Sequence, residues 1–224
     1  MYVPATPAPP AATPLAPIVI ATSAAPPFSG PAHTSLSASR TDLNVLEGHA
    51  ASVTGRLTAP DPGSTEGHRP AGLSRRVVRL QALGGHGWRT LAHARTGAGG
   101  RFRLRYVPRQ TTSERVRLRF VGDAEDLGAH RGLGRMDVYR LAQASWYGGG
   151  GQLACGGELT SATMGVANKT LPCGTPVMLR YDGRSVRVTV IDRGPYVAGR
   201  EFDLTEATKQ ALGFGDTGEV WSTR

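Results

Sequence analysis

Residues 186–205 read Val-Arg-Val-Thr-Val-Ile-Asp-Arg-Gly-Pro-Tyr-Val-Ala-Gly-Arg-Glu-Phe-Asp-Leu-Thr. Val186 to Ile191 is dense in β-branched residues and predicts a strand. Asp192 ends that strand, and Gly194-Pro195 then turns the chain. A carboxylate at the end of a buried strand, ahead of a rigid turn, sits on a stiff mount, as a reacting group requires. A second carboxylate, Asp203, follows eleven residues later. Thr205 then caps a short helix, with Ala207, Ala211 and Leu212 on its inner face and Gly213 as its stop.

Upstream, Val177–Tyr181 and Ser185–Ile191 flank Asp182-Gly183, a strong hairpin signal. Downstream, Gly218–Ser222 reads as a closing strand, while Thr160–Ala167 is expected to be a short helix or turn. Ser145–Tyr147 is strand-like and precedes four glycines, Gly148 to Gly151. Trp146 and Tyr147 are placed to stack on a sugar ring, although Trp146 serves equally well as core. The chain's two cysteines, Cys155 and Cys173, both fall in this C-terminal segment. A pair within one small domain suits a structural disulfide and an oxidising compartment, the alternative being two buried thiols. No CxxC or histidine cluster suggests zinc, and no cofactor is called for.

The middle of the chain is a series of short strands: Ala51–Leu57, Val77–Leu83, Trp88–Ala94, Arg101–Val107, Arg115–Val121 and Arg135–Leu141, with a polar loop from Pro60 to Pro70. Six strands with frequent turn signals over residues 40–141 predict an immunoglobulin-like β-sandwich. Trp88 is expected in its core. Two of the strands alternate Arg with apolar residues, the period of a half-buried sheet. These Arg rows are either a solvated face or a cationic face for anionic wall polymers or lipid headgroups. Phe102, Tyr106 and Phe120 fall on the inward side, which argues against nucleic acid.

Residues 1–38 are mainly Pro, Ala, Thr and Ser and are expected to be a disordered spacer. The net charge of +9 is unevenly placed. Residues 40–141 hold 18 Arg against 9 acids, whereas residues 142–224 balance 8 bases with 8 acids. No apolar run approaches the roughly 18 residues of a membrane helix. The start, Met1-Tyr-Val-Pro-Ala-Thr-Pro, lacks the positive and apolar regions of a secretory signal, so export has to be argued from the rest of the chain.

The C-terminal segment resembles a known family. Ala-Ser-Trp-Tyr-Gly, Lys-Thr-Leu-Pro-Cys-Gly-Thr, Gly-Arg-Ser-Val-Arg-Val-Thr-Val-Ile-Asp-Arg-Gly-Pro-Tyr, Phe-Asp-Leu-Thr and Ala-Leu-Gly occur here in order. They look like the double-psi β-barrel domain of rare lipoprotein A, over about Ala144 to Arg224. The resemblance implies a six-stranded barrel over residues 142–224, and an extracellular, periplasmic or wall-associated protein whose partner is the peptidoglycan glycan strand. Some members are lytic transglycosylases, and the same barrel is shared by the wall-loosening expansins. The essential Asp of the family's Asp-Arg-Gly-Pro motif falls on Asp192. Asp203 aligns with the Asp of the expansin His-Phe-Asp motif, and Glu201 with its His. The enzymes' His before Lys/Arg-Thr-Leu-Pro is here Asn168, a neutral side chain able to bind a sugar hydroxyl or hold Asp192 in place. Tyr196, which ends the Asp-Arg-Gly-Pro-Tyr run, joins Trp146, Tyr147 and Asn168 as a candidate substrate-binding residue.

Hydrolysis of a glycosidic bond needs two carboxyl groups. A lytic transglycosylase needs fewer, because the substrate's own 6-hydroxyl is the nucleophile and one acid/base suffices. Asp192 is that acid/base and Asp203 its neighbour. Two alternatives stand beside this reading: Asp192 as a turn-stabilising acceptor, and Asp203 as the residue that begins the helix. Arg193 should point away from Asp192, since adjacent strand residues face opposite sides. Two functions follow, a transglycosylase-type enzyme or a non-catalytic, expansin-like wall-binding module.

Overall fold

The computed structural model describes residues 30–60 and 70–224. The expected N-terminal spacer lies outside the described residues as far as residue 29, and the expected polar loop does so over 61–69. The first strand begins at Ser35, ahead of the boundary expected near residue 38.

In chain order the strands are β1 (Ser35–Asp42), β2 (Asn44–Leu46), β3 (Ala51–Pro60), β4 (Pro70–Gly72), β5 (Val77–Gly84), β6 (Gly87–Arg95), β7 (Arg101–Tyr106), β8 (Thr112–Gly122) and β9 (Leu127–Tyr147). They continue with β10 (Gly151–Gln152), β11 (Glu158–Leu159), β12 (Val166–Ala167), β13 (Pro176–Tyr181), β14 (Arg184–Asp192) and β15 (Phe202–Thr205). Helix α1 (Glu206–Leu212) and β16 (Thr217–Ser222) complete the chain. The molecule is therefore mainly β, as the glycines, prolines and short alternating runs imply. Among the described residues no helix is long and apolar enough to cross a membrane.

Two sheets share the N-terminal core. One joins β1, β3, β4 and β7, and the other runs β9-β8-β5-β6, with β2 on β9. Val53, Leu57, Phe102 and Leu104 of the first meet Val78, Leu80, Leu118 and Met136 of the second in one apolar cluster. Each such side chain contributes about 1.5–3 kcal/mol relative to exposure. The two arginine rows thus belong to different sheets: Arg101, Arg103 and Arg105 lie on β7, and Arg115, Arg117 and Arg119 on β8. They face outward from opposite sides of a common core and do not form one cationic face. Trp88 also departs from expectation. It is 38% exposed, with the Arg117 guanidinium 3.9 Å above its ring.

The C-terminal strands form a ring. The order β15-β12-β14-β13-β16-β9 returns to its start because β9 also pairs with β15, leaving no free edge among these six. Val166, Val177, Leu179, Val190, Phe202, Leu204 and Val220 fill its apolar core. At the expected hairpin, Asp182 and Gly183 both take positive φ (43° and 79°), as a two-residue turn requires. The segment expected to be a short helix or turn has a turn at residues 161–162 and ends in β12. Gly165 is held to its identity by packing: a Cβ there would stand 2.2 Å from Ile191 Cδ1.

The unexpected element is β9. The strand expected over Arg135–Leu141 is 21 residues long. Its first part pairs with β8 from Leu127 to Val138, and its last part pairs with β16 and β15 from Arg140 to Tyr147. Gly128, Gly132 and Gly134 break the alternation on which a longer strand would have been read. One strand thus crosses the boundary at 141/142 where two domains had been expected to meet.

Candidate active site

Four strands bring the expected carboxylates to one face. Ala167 of β12 pairs with Asp192 of β14 on one side and with Asp203 of β15 on the other, and Asp203 pairs in turn with Ser145 of β9. Two strand spacings separate Asp192 from Asp203, about 10 Å between their Cα atoms. Strict alternation from Val188 and Val190 would aim Asp192 into the core. A register shift between Val166 and Ala167 sets Asp192 opposite Ala167 instead, so a bulge re-aims it out of the apolar interior.

Asp192 is half-buried, and its Oδ1 accepts from the backbone N–H groups of Ala154 (2.9 Å) and Arg193 (2.8 Å). These two charge-assisted bonds fix the carboxylate. Ala154 is carried by the loop that the Cys155–Cys173 disulfide ties down, with Cα atoms 5.6 Å apart. Arg193 points away as expected. Its Nη1 donates to the carbonyls of Asn168 (3.0 Å) and Leu171 (2.8 Å), and its Nη2 to Cys173 Sγ (3.0 Å). The Gly194–Pro195 peptide that follows is cis.

Asp203 accepts a hydrogen bond from the Ser145 hydroxyl. It does not begin the helix. Thr205 is the N-cap, taking the Thr208 N–H, and Gly213 closes the helix in the left-handed conformation. Ser145 was not singled out in the sequence, although its place two residues before Tyr147 on one strand face is the pattern that marks it.

Tyr147 lies on that same face. Its hydroxyl is buried and, among the described residues, has no partner at hydrogen-bond geometry. Burial, together with the nearby charges of Asp192 and Asp203, pushes the phenol's pKa up. Trp146 points the other way. It is 37% exposed, its Nε1 donates to Asp216 (3.0 Å), and Lys209 Nζ sits 3.9 Å over its ring. Tyr196 lies in the loop after Pro195 and is 83% exposed.

Asn168 is 8% exposed, and its amide is committed. Oδ1 accepts from the N–H groups of Thr170 (3.0 Å) and Leu171 (2.8 Å), while Nδ2 donates to the Glu201 carbonyl (2.9 Å). Its own N–H donates to the Asp192 carbonyl (3.1 Å). Asn168 therefore braces the loop beside Asp192, with little capacity left for a ligand. Glu201 is drawn off by Arg140 of β9 in a two-pronged ion pair (3.0 Å for Nη1–Oε1).

The C-terminal ring is similar to lytic transglycolase domains. The family model of that description, from the double-psi β-barrel group, matches residues 141–221. Within this class the segment is RlpA-like. It is 39% identical over 87 residues to the "Probable endolytic peptidoglycan transglycosylase RlpA" of Aquifex aeolicus (37% of this chain, 38% of that protein). Against the "Endolytic peptidoglycan transglycosylase RlpA" of Pseudomonas aeruginosa the identity is 41% over 87 residues (36% and 26%). For the Neisseria meningitidis protein of that name it is 41% over 84 residues (35% of each chain). The chain thus spans less than two fifths of the length of these relatives.

Proposed function

We propose that the protein acts on bacterial peptidoglycan in the cell envelope as a lytic transglycosylase-type enzyme, with Asp192 as its acid/base. The observation that carries this reading is the Asp192 carboxylate, fixed by two backbone N–H groups on a face it shares with Asp203 and Tyr147. Asp192 gives its proton to the glycosidic oxygen as the bond from C1 to that oxygen breaks. It then takes the proton of the substrate's 6-hydroxyl as O6 closes on C1, so the carboxyl group ends as it began. Asp203, oriented by Ser145, supplies negative charge toward the oxocarbenium-like transition state. Tyr147 and Tyr196 contact the glycan. Trp146 faces away from the carboxylates and takes no part in this reading.

A second reading, a non-catalytic, expansin-like wall-binding module, draws support from Asn168, whose amide carries no titratable proton and is spent on the loop. Digestion of purified sacculi by the full chain separates the two. Release of 1,6-anhydro sugar ends supports the enzyme, and binding without their release supports the module. In either case the arginine rows of the N-terminal sheets add a salt-sensitive attraction to anionic wall polymers.

A further inference from the structure

The outer face of the β1-β3-β7 sheet holds a cavity of about 550 Å³. Arg56, Arg95, Arg101 and Arg103 line it, together with the hydroxyl-bearing Ser37 and Thr54. No acidic residue lines it among the described residues, and none of the four arginines belongs to an ion pair there. On this face the first acid in register is Asp42, opposite Ser52 and beyond the row of Arg40, Thr54 and Arg103.

Arg56 and Arg101 stand directly opposite one another on β3 and β7. Like charges so placed cost stability unless something between them carries the opposite sign. Arg56 is also pre-set. Its Nε donates to the Gly99 carbonyl at 2.7 Å, which fixes the plane of the guanidinium and, among the described residues, leaves its outer N–H groups unpaired. One carboxylate is satisfied by a single bidentate arginine, whereas four guanidinium groups around one concavity suit an anion with more charge and more oxygens.

We propose that this cavity is an oxyanion site that takes a phosphate group, free or carried on a phosphodiester polymer. The site is independent of the chemistry at Asp192. Its Arg56, Arg101 and Arg103 lie on the other sheet from Arg79 and Arg119, which face each other across β5 and β8, while Arg95 is contributed by the end of β6. That second pair provides an internal control of equal charge.

The experiment is calorimetric titration of the full chain at low salt, first with inorganic phosphate and then with short-chain polyphosphate. Saturable binding is expected, weakened about tenfold or more by Arg56→Gln with Arg101→Gln. Arg79→Gln with Arg119→Gln should change it by less than about twofold. Tighter binding of polyphosphate than of phosphate would identify the polymer as the source, and equal binding per group the free ion. Equal losses in the two double variants would overturn the proposal, leaving only diffuse charge, as would the absence of saturable binding by either probe. Should the Arg56/Arg101 variant fail to fold, the wild type's preference for phosphate over chloride at matched ionic strength decides, and no preference overturns the site.

Discussion

Asp192 is the residue on which the functional reading turns, and its two backbone donors make it testable. Asp192→Asn keeps an oxygen for the Ala154 and Arg193 N–H groups but removes the exchangeable proton. Release of anhydro sugar ends should fall by roughly 10²–10⁴, with the thermal midpoint little changed. Tyr147 gives a separate prediction. Its ionised form is disfavoured in the fold, so its folded pKa lies above the ordinary 10.0. The stability this represents is complete below that value and is lost as pH rises through the folded pKa. Urea titrations between pH 9 and pH 12 should show an alkaline loss that Tyr147→Phe reduces. At pH 7 the same variant should be at least as stable as the wild type, since it deletes a buried hydroxyl that has no partner among the described residues. Asn168→Ala should do the opposite, stranding the Thr170 and Leu171 N–H groups. A loss of about 1–3 kcal/mol in denaturant unfolding is expected for each group left buried and unpaired.

At the scale of elements, the loop from Ala154 to Cys173 connects covalent chemistry to the site. Reducing the Cys155–Cys173 bond should cost about 3 kcal/mol by the chain-entropy measure. It should also loosen the Ala154 N–H on Asp192 and the Cys173 contact of Arg193, so activity should decline before global unfolding when both are followed against reductant. Much of this level was legible beforehand. The hairpin at Asp182-Gly183, the Thr205 cap and the Gly213 stop each follow from local backbone chemistry, which neighbouring residues determine. What stayed hidden depends on partners distant in the chain. The bulge that turns Asp192 out of the core exists only because Ala167 lies beside it. The commitment of Asn168 needs the carbonyl of Glu201, 33 residues away. The two Arg rows look alike in sequence because alternation gives a face but not the sheet to which that face belongs.

For the whole molecule, β9 makes the β8-β5-β6 sheet and the C-terminal ring parts of one hydrogen-bonded network, with the β1-β3-β4-β7 sheet packed on the former. Residues 142–224 taken alone would lose Arg140 and Leu141, the β9 partners of Ser222 and Trp221, together with the ion pair to Glu201. That fragment should melt well below the full chain, and calorimetry of the full chain should show one transition rather than two. A fragment as stable as the whole would overturn this view of β9. The same strand has a mechanical consequence. Extended, its 21 residues span roughly 70 Å of backbone. Rungs to β8 lie along its first part and rungs to β16 along its last, both antiparallel. A tug on the N-terminal sheets therefore reaches the ring through covalent bonds, loading the flanking rungs in shear, all together, rather than peeling them open one at a time.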